Sequence, residues 1–166
     1  MKIVNCYKYL GFLFTCNFSM TKSLDDLSLR GKKALTELSV NLRKLGVLSH
    51  DVFFKIFDSQ IQPILTYASE IWGFKRYENI EKIHLTACKL FLQVGPQTPN
   101  AIVYGECGRY PLYINTAVRS LNFWIKILSM HEDRLPKKSY NMQLHLDEMG
   151  YKSWASEIKN LLFSHG

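Results

Sequence analysis

The chain has 166 residues, 47% of them apolar, 21% charged and 13% aromatic. That size and composition suit one ordinary globular domain, able to bury roughly 70% of its unfolded surface, and exclude a disordered or low-complexity chain. The net charge of +7 is unevenly placed: residues 1–130 hold 16 Lys and Arg against 9 Asp and Glu, whereas residues 131–166 hold five of each. A surface for a polyanion is therefore expected before residue 131.

Cys6, Cys16, Cys88 and Cys107 form no C-x-x-C pair, so no zinc finger or redox motif is spelled. Four cysteines in a chain this long fit reduced thiols of an intracellular protein better than a disulfide scaffold. The apolar residues after Lys2 are interrupted by Asn5, Tyr7 and Lys8, and no small-residue cleavage site follows the run 10–14. No apolar run approaches the ~20 residues needed to span a bilayer. The expectation is an intracellular protein of nucleus or cytoplasm, neither secreted nor membrane-bound, in which the acceptor sequence Asn17-Phe18-Ser19 is inert.

Residues 2–14 read as extended structure. Tyr7, Tyr9, Phe12 and Phe14 favour strand, and Gly11 suggests a bulge or a close backbone approach. A lone strand or hairpin is marginal in water, and nothing later reads as strand. From Ser23 the period becomes helical, with Ser23 as cap and Asp25 and Asp26 in the first turn. Leu24, Leu27, Gly31, Ala34, Leu35, Leu38, Leu42 and Leu45 share one face, and Gly46 stops the helix. A second helix starts at Ser49 and ends at Gly73, with a kink at Pro63. A third runs from Glu78 to Gln93, its stripe made by Ile80, Ile83, Ala87, Cys88 and Phe91.

Gly95-Pro96 breaks the third helix. Thr98-Pro99 reads as the cap and first residue of a short helix, after which Gly105 and Gly108 turn the chain. Pro111 opens a further helix with Ala117, Val118, Leu121, Trp124, Ile125 and Leu128 facing inward. After a break at Arg134-Leu135-Pro136, two short helices are expected over 140–149 and 152–163. The fold class is mainly α, a helical bundle with a short N-terminal strand or hairpin.

At about 100° per residue, Lys22, Lys32, Lys33, Arg43 and Lys44 form a band away from the leucine stripe, with Arg30 at its edge. Such a helix can pack one face on a core and lay the other along a phosphate backbone; an ordinary solvated face is the competing reading. The acidic pairs Asp25-Asp26, Glu132-Asp133 and Asp147-Glu148 are weak candidates for the two metal-holding carboxylates of nucleotidyl transfer. His84 and Cys88, four apart on one helix, read as buried side chains rather than metal ligands, because no second pair completes a site. His50, His131, His145 and His165 are scattered. The aromatics Tyr67, Trp72, Tyr104, Tyr110, Trp124 and Trp154 could stack on bases but mostly sit at core spacing.

Five ordered segments carry a family pattern: Y-K-Y-L-G at 7–11, Q-I-Q-P-I-L-T-Y-A-S-E-I-W-G at 60–73, I-E-K-I-H followed by L-Q-V-G within 78–95, T-P-N-A-I-V-Y-G-E-C-G-R-Y-P-L at 98–112, and S-W-A-S-E-I-K-N-L-L-F-S-H-G at 153–166. With the leucine-rich basic helix between the first two, they resemble the region behind the polymerase palm in reverse transcriptases of non-LTR retrotransposons, the jockey and LINE type. The resemblance implies a palm-edge strand over 1–16 left from a palm sheet, a thumb-like helical region over 17–130 and a truncated helical tail over 131–166. It implies that Tyr9, Leu10 and Gly11 shape an element near the primer end, and that Lys22, Lys32, Lys33, Arg43 and Lys44 contact an RNA/DNA template–primer duplex.

The catalytic F-A-D-D element of such enzymes, with its divalent metal such as Mg2+, would precede Tyr7 together with the fingers. This chain is therefore expected to hold no catalytic residue, cofactor or metal site, and to be inactive without the missing palm and fingers. Glu106 and Arg109 are expected to fix the glycine turn by hydrogen bonds. A free-standing helical protein-interaction module, with no nucleic-acid role, is the alternative.

Overall fold

The computed structural model describes residues 5–15, 19–46 and 49–163. Cys16, Asn17, His165 and the side chain of Arg43 lie outside the described residues. The fold is mainly α, with a two-stranded antiparallel hairpin at the N-terminus. It divides into two compact units, Met1–Tyr67 with Tyr77–Leu112, and Ala68–Arg76 with Tyr113–Gly166.

In the first unit, strands β1 (Cys6–Tyr9) and β2 (Phe12–Thr15) pair Tyr7 with Phe14 and Tyr9 with Phe12. Leu10 and Gly11 make the two-residue turn, both at positive φ (47° and 84°). Gly11 is thus a turn residue, not the bulge or close approach expected, and a Cβ there would meet nothing within 4 Å. Every residue of β1 is exposed, whereas Phe12 of β2 is buried.

Helix α1 (Thr21–Leu45) starts two residues before the expected cap. Ser23 lies inside it, and its hydroxyl donates to the Leu13 carbonyl of β2 instead of capping the helix. Leu24, Leu27, Leu35 and Leu38 are buried, each worth about 1.5–3 kcal/mol of transfer free energy. Gly46, at φ 83°, ends the helix and donates its N–H to Leu42.

The expected single helix over 49–73 is broken into segments. Helix α2 (His50–Ile56) passes into a π-turn (Phe57–Ile61) and then α3 (Gln62–Leu65). Pro63 has no N–H to offer and its ring crowds the carbonyl four residues back, so the chain widens to a π-turn just before it. Thr66 bonds its hydroxyl back to Gln62, and Ala68 turns left-handed (φ 56°), which stops α3. Phe53, Phe57, Ile61 and Leu65 are fully buried.

Helix α5 (Glu78–Leu92) buries Ile80, Ile83, Ala87 and Cys88 as expected, and also Glu81 and His84. Helix α6 (Asn100–Glu106) has Pro99 rather than Thr98 at its cap, and contains Gly105; only Gly108, at φ 58°, turns the chain.

The second unit holds α4 (Ser69–Trp72), α7 (Leu112–Leu128, most of its length), α8 (Leu135–Glu148) and α9 (Trp154–Phe163). Arg134-Leu135-Pro136 begins α8 rather than breaking the chain, since proline is tolerated in a first turn. The inward face of α7 departs from expectation. Thr116, Ala117, Ser120 and Ile127 are buried, while Val118, Ile125 and Leu128 are 49, 56 and 42% exposed. Two buried hydroxyls explain the rotation: Ser120 donates to the Ser69 carbonyl (2.8 Å), and the Thr116 hydroxyl is shared between the Tyr113 carbonyl of its own helix (3.1 Å) and that of Gly73 (3.4 Å), so small polar residues can face the core.

Candidate nucleic-acid interface

Lys22, Lys32, Lys33 and Lys44 are exposed on α1. Lys22, Lys33 and Lys44 recur every 11 residues, three helical turns of about 16 Å, so they project in nearly one direction. Glu37 lies in the same sector, one turn beyond Lys33, and dilutes the band. Lys32 points away from it, into a cleft of about 400 Å³ between α1 and α5.

That cleft is the part of the site that helix-by-helix reading missed. Ser28, Lys32, Thr36 and Ser39 form one wall, Asn79, Lys82 and Thr86 the other, over an apolar floor that includes Leu35 and Ile83. It contains two cations and no carboxylate. Three hydroxyls bond back into their own helices, Thr36 to Lys32 O (2.9 Å), Ser39 to Thr36 O (2.7 Å) and Thr86 to Lys82 O (2.6 Å), while Ser28 donates across to the Asn79 carbonyl of α5 (3.1 Å). Their protons are thereby taken up, and the strong donors for an anion are the two ammonium groups. The exposed residues Lys82 and Thr86, spaced i and i+4 on the polar side of α5, were the sequence signal.

The hairpin and the basic helix are joined. Arg30 of α1 donates to the Gly11 carbonyl (3.2 Å) while pairing with Asp26 (3.0 Å), and the Tyr67 hydroxyl donates to the Leu10 carbonyl. The turn carbonyls are thereby fixed, leaving Tyr9 and Leu10 exposed at 56 and 73%.

The glycine-turn motif is a structural lock. Arg109 sends both terminal nitrogens to the Asp58 carboxylate, one at 2.7 Å, and one of them also reaches Gln62 (3.3 Å). Its guanidinium lies 4.9 Å over the ring of Phe54 and 5.8 Å over that of Phe57. Asp58 raises the Arg109 pKa, chiefly by these hydrogen bonds. Arg109 Nε donates to His84 Nε2 at 3.5 Å, the outer limit of a hydrogen bond. Burial, helped by the Arg109 charge, lowers the His84 pKa to about 4, so this histidine is neutral.

Glu81 accepts from the Tyr104 hydroxyl and from the Leu112 N–H (both 3.2 Å), tying α5 to the middle and the end of the motif. Burial pushes the Cys88 thiol up to about 12 and also raises Cys107, so both are inert thiols. The expectation that Arg109 fixes the turn by hydrogen bonds is met; Glu106 is exposed on α6.

The acidic pairs are scattered into separate roles. Asp25 accepts from Asn79 (2.7 Å), Asp26 pairs with Arg30, and Asp147 accepts from Lys159 (2.6 Å). Among the described residues no three of His, Cys, Asp and Glu are grouped to hold a metal ion. No described helix is long and apolar enough to cross a membrane. Comparison with protein-family models, with curated proteins and with solved structures gives no match for this chain.

Proposed function

We propose that the chain is the duplex-gripping, thumb-like part of an RNA-directed DNA polymerase of the non-LTR retrotransposon kind, with α1 laid along the phosphate backbone of an RNA/DNA template–primer. The observation that carries this reading is the carboxylate-free cleft with Lys32 on one wall and Lys82 on the other. The ordered sequence resemblance supports it, as does the basic excess before residue 131. Lys22, Lys33 and Lys44 extend the contact along α1, and the turn at Tyr9, Leu10 and Gly11 borders the primer end. The described residues do not fit a site for two divalent metals. The proposed role is therefore grip and alignment, with the nucleotidyl-transfer chemistry belonging to a palm.

The test is binding of an RNA–DNA hybrid of about 20 base pairs, followed by anisotropy between about 50 and 200 mM salt. Five phosphate contacts predict a slope of log K against log salt of roughly −4 to −5. Lys32→Glu with Lys82→Glu should reduce that slope by about 2 and weaken binding at least about tenfold at the lower salt. A slope near zero, or one unchanged by the double variant, overturns the proposal. It would favour the free-standing interaction module, a reading for which the exposed apolar face of α7 speaks.

A further inference from the structure

We infer, resting on the duplex-gripping role proposed above, that the cleft between α1 and α5 takes the RNA strand of the hybrid and tells it from DNA by its ribose 2′-hydroxyls. The two walls repeat one arrangement. On α1, Lys32 is followed one turn later by Thr36, whose hydroxyl donates to the Lys32 carbonyl (2.9 Å). On α5, Lys82 is followed one turn later by Thr86, whose hydroxyl donates to the Lys82 carbonyl (2.6 Å). Each wall thus sets an exposed lysine and an exposed threonine about 6 Å apart along the helix axis.

A hydroxyl that has given its only proton can only accept. Ser28 and Ser39 are committed in the same way, to the carbonyls of Asn79 (3.1 Å) and Thr36 (2.7 Å). The cleft therefore offers ammonium donors to an anion, and hydroxyl oxygens that accept a proton from whatever lies beside that anion. A nucleic-acid strand meets both demands only if it carries a donor next to each phosphate. Ribose supplies that donor in its 2′-hydroxyl, and deoxyribose has none. A DNA strand would cover the threonine oxygens with further acceptors and leave them unpaired.

Length selects a strand over a small sugar phosphate. Ser28 and Ser39, at the two ends of the α1 wall, are separated by three helical turns, about 16 Å. Buried Leu35 and Ile83 in the floor suit the C–H face of a ribose. An A-form helix displays its 2′-hydroxyls in a wide, shallow minor groove, open to contact with helix faces. The walls are joined at one end, where Ser28 donates to the Asn79 carbonyl and the Asn79 side chain donates to Asp25 (2.7 Å), so the two threonines are positioned before a strand arrives.

The test separates hydroxyl recognition from recognition of shape. It compares an RNA–DNA hybrid, the same hybrid with fluorine in place of every 2′-hydroxyl of the RNA strand, and a DNA duplex of the same sequence. Fluorine keeps the A-form helix but cannot donate a hydrogen bond. Anisotropy at low salt should show the native hybrid bound at least about fivefold more tightly than either of the others. Thr36→Val with Thr86→Val removes both acceptors at nearly constant shape and helix propensity, so the circular dichroism spectrum should be retained. This variant should bind the native hybrid no better than the fluorinated one, with the salt slope unchanged because the lysines remain. Equal binding of native and fluorinated hybrids with a steep salt slope overturns the inference and leaves the duplex-gripping role standing. Discrimination that survives in the double-valine variant also overturns it, by placing the hydroxyl contact elsewhere. A slope near zero overturns both.

Discussion

The two compact units solve the same problem, satisfying buried polar groups, with opposite chemistry. The first places the ionisable side chains of His84 and Glu81 in its interior, His84 against Arg109, which reaches out to Gln62 and the partly exposed Asp58, and Glu81 under Tyr104 and the Leu112 amide. The second uses neutral donors aimed at main-chain carbonyls of the α4 segment: Ser120 on Ser69, Thr116 on Gly73, and the Trp154 indole on Glu70 (3.3 Å). Its charged pairs, Lys75 with Glu157 and Asp147 with Lys159, sit at the surface. One unit is thus sensitive to protonation, and the other to backbone spacing. All three tryptophans, Trp72, Trp124 and Trp154, belong to the second unit, so their fluorescence reports on it selectively.

The sharpest break of this contrast is Gly73→Ala. A Cβ on Gly73 would lie 2.4 Å from the Thr116 carbonyl oxygen and 2.6 Å from that of Ser69. Both neighbours are backbone and cannot rotate aside, so α4 and α7 must separate and the Ser120 and Thr116 bonds are lost. The expected cost is about 4 kcal/mol, at the upper end for one methyl group. Urea unfolding followed by tryptophan fluorescence should show the midpoint collapse. A wild-type midpoint would mean that the carbonyl contacts do not organise this unit.

The next effect belongs to the first unit and is read with pH. His84 is neutral when folded and has its pKa lowered from 6.5 to about 4. Below pH 6.5 the unfolded chain takes up a proton that the folded chain refuses, so stability is lost as pH falls from 6.5 to about 4, by up to about 3 kcal/mol. His50 has the opposite sign. Its pKa is raised, first by the Cys107 carbonyl at 3.0 Å and then by Asp51 at 3.2 Å. Both partners are acceptors, and only the imidazolium can donate to both. Its contribution is present below 6.5 and is lost as pH rises through the raised pKa.

The first unit should therefore be most stable near pH 6.5, falling away on both sides. Hydrogen exchange of α5 amides as a function of pH measures this, with His84→Gln flattening the acid flank and His50→Gln the alkaline one. The second unit should hold its stability until pH falls below about 4. There Asp147, whose pKa is lowered by Lys159 and then by Ser156, takes up its proton. Coincident pH profiles for tryptophan fluorescence and α5 exchange would remove the distinction.

Arg109→Lys tests the same lock with a smaller change. Lysine keeps the charge but loses the two-pronged contact with Asp58 and the planar stacking on Phe54 and Phe57. Asp58 is 41% exposed, so water replaces part of what is lost, and about 2 kcal/mol is expected. Exchange of the α2 and α5 amides should accelerate while tryptophan fluorescence is unchanged. A stability equal to wild type would mean that the motif at 98–112 is held by its backbone turns alone.

How far the sequence foretold these features follows from how local each one is. The α1 stripe, the α5 stripe and the stop at Gly46 repeat within a few residues, and periodicity finds them. The Arg109–Asp58 contact joins residues 51 apart, and no local pattern marks it. In α7 the apolar arc is wider than the face that the core can take. Periodicity alone assigned Val118, Ile125 and Leu128 to the interior, because it discounted Thr116 and Ser120, whose hydroxyls find carbonyls only in the folded chain. The α1–α5 cleft escaped for a related reason. Lys32 and Lys82 are ordinary surface lysines on their own helices and become one feature only when the helices pack.

The smallest effect refines the comparison of the two glycines. In the first unit, a Cβ on Gly31 would lie 2.3 Å from Leu65 Cδ2 and 3.1 Å from its Cγ. That is as close as the contact at Gly73, but the obstacle is the end of a side chain rather than a carbonyl. Leu65 is fully buried, so its shift costs packing, roughly 1–3 kcal/mol for an overpacked methyl group. Gly31 also lies inside α1, where alanine gains about 1 kcal/mol over glycine in helix propensity. The helix gain offsets part of that cost, and Gly31→Ala should lower stability by roughly 0–2 kcal/mol, as read by α1 amide exchange. A loss as large as that of Gly73→Ala would show that Leu65 cannot move. The first unit would then share the second's dependence on exact backbone spacing, and side-chain tolerance would no longer separate the two.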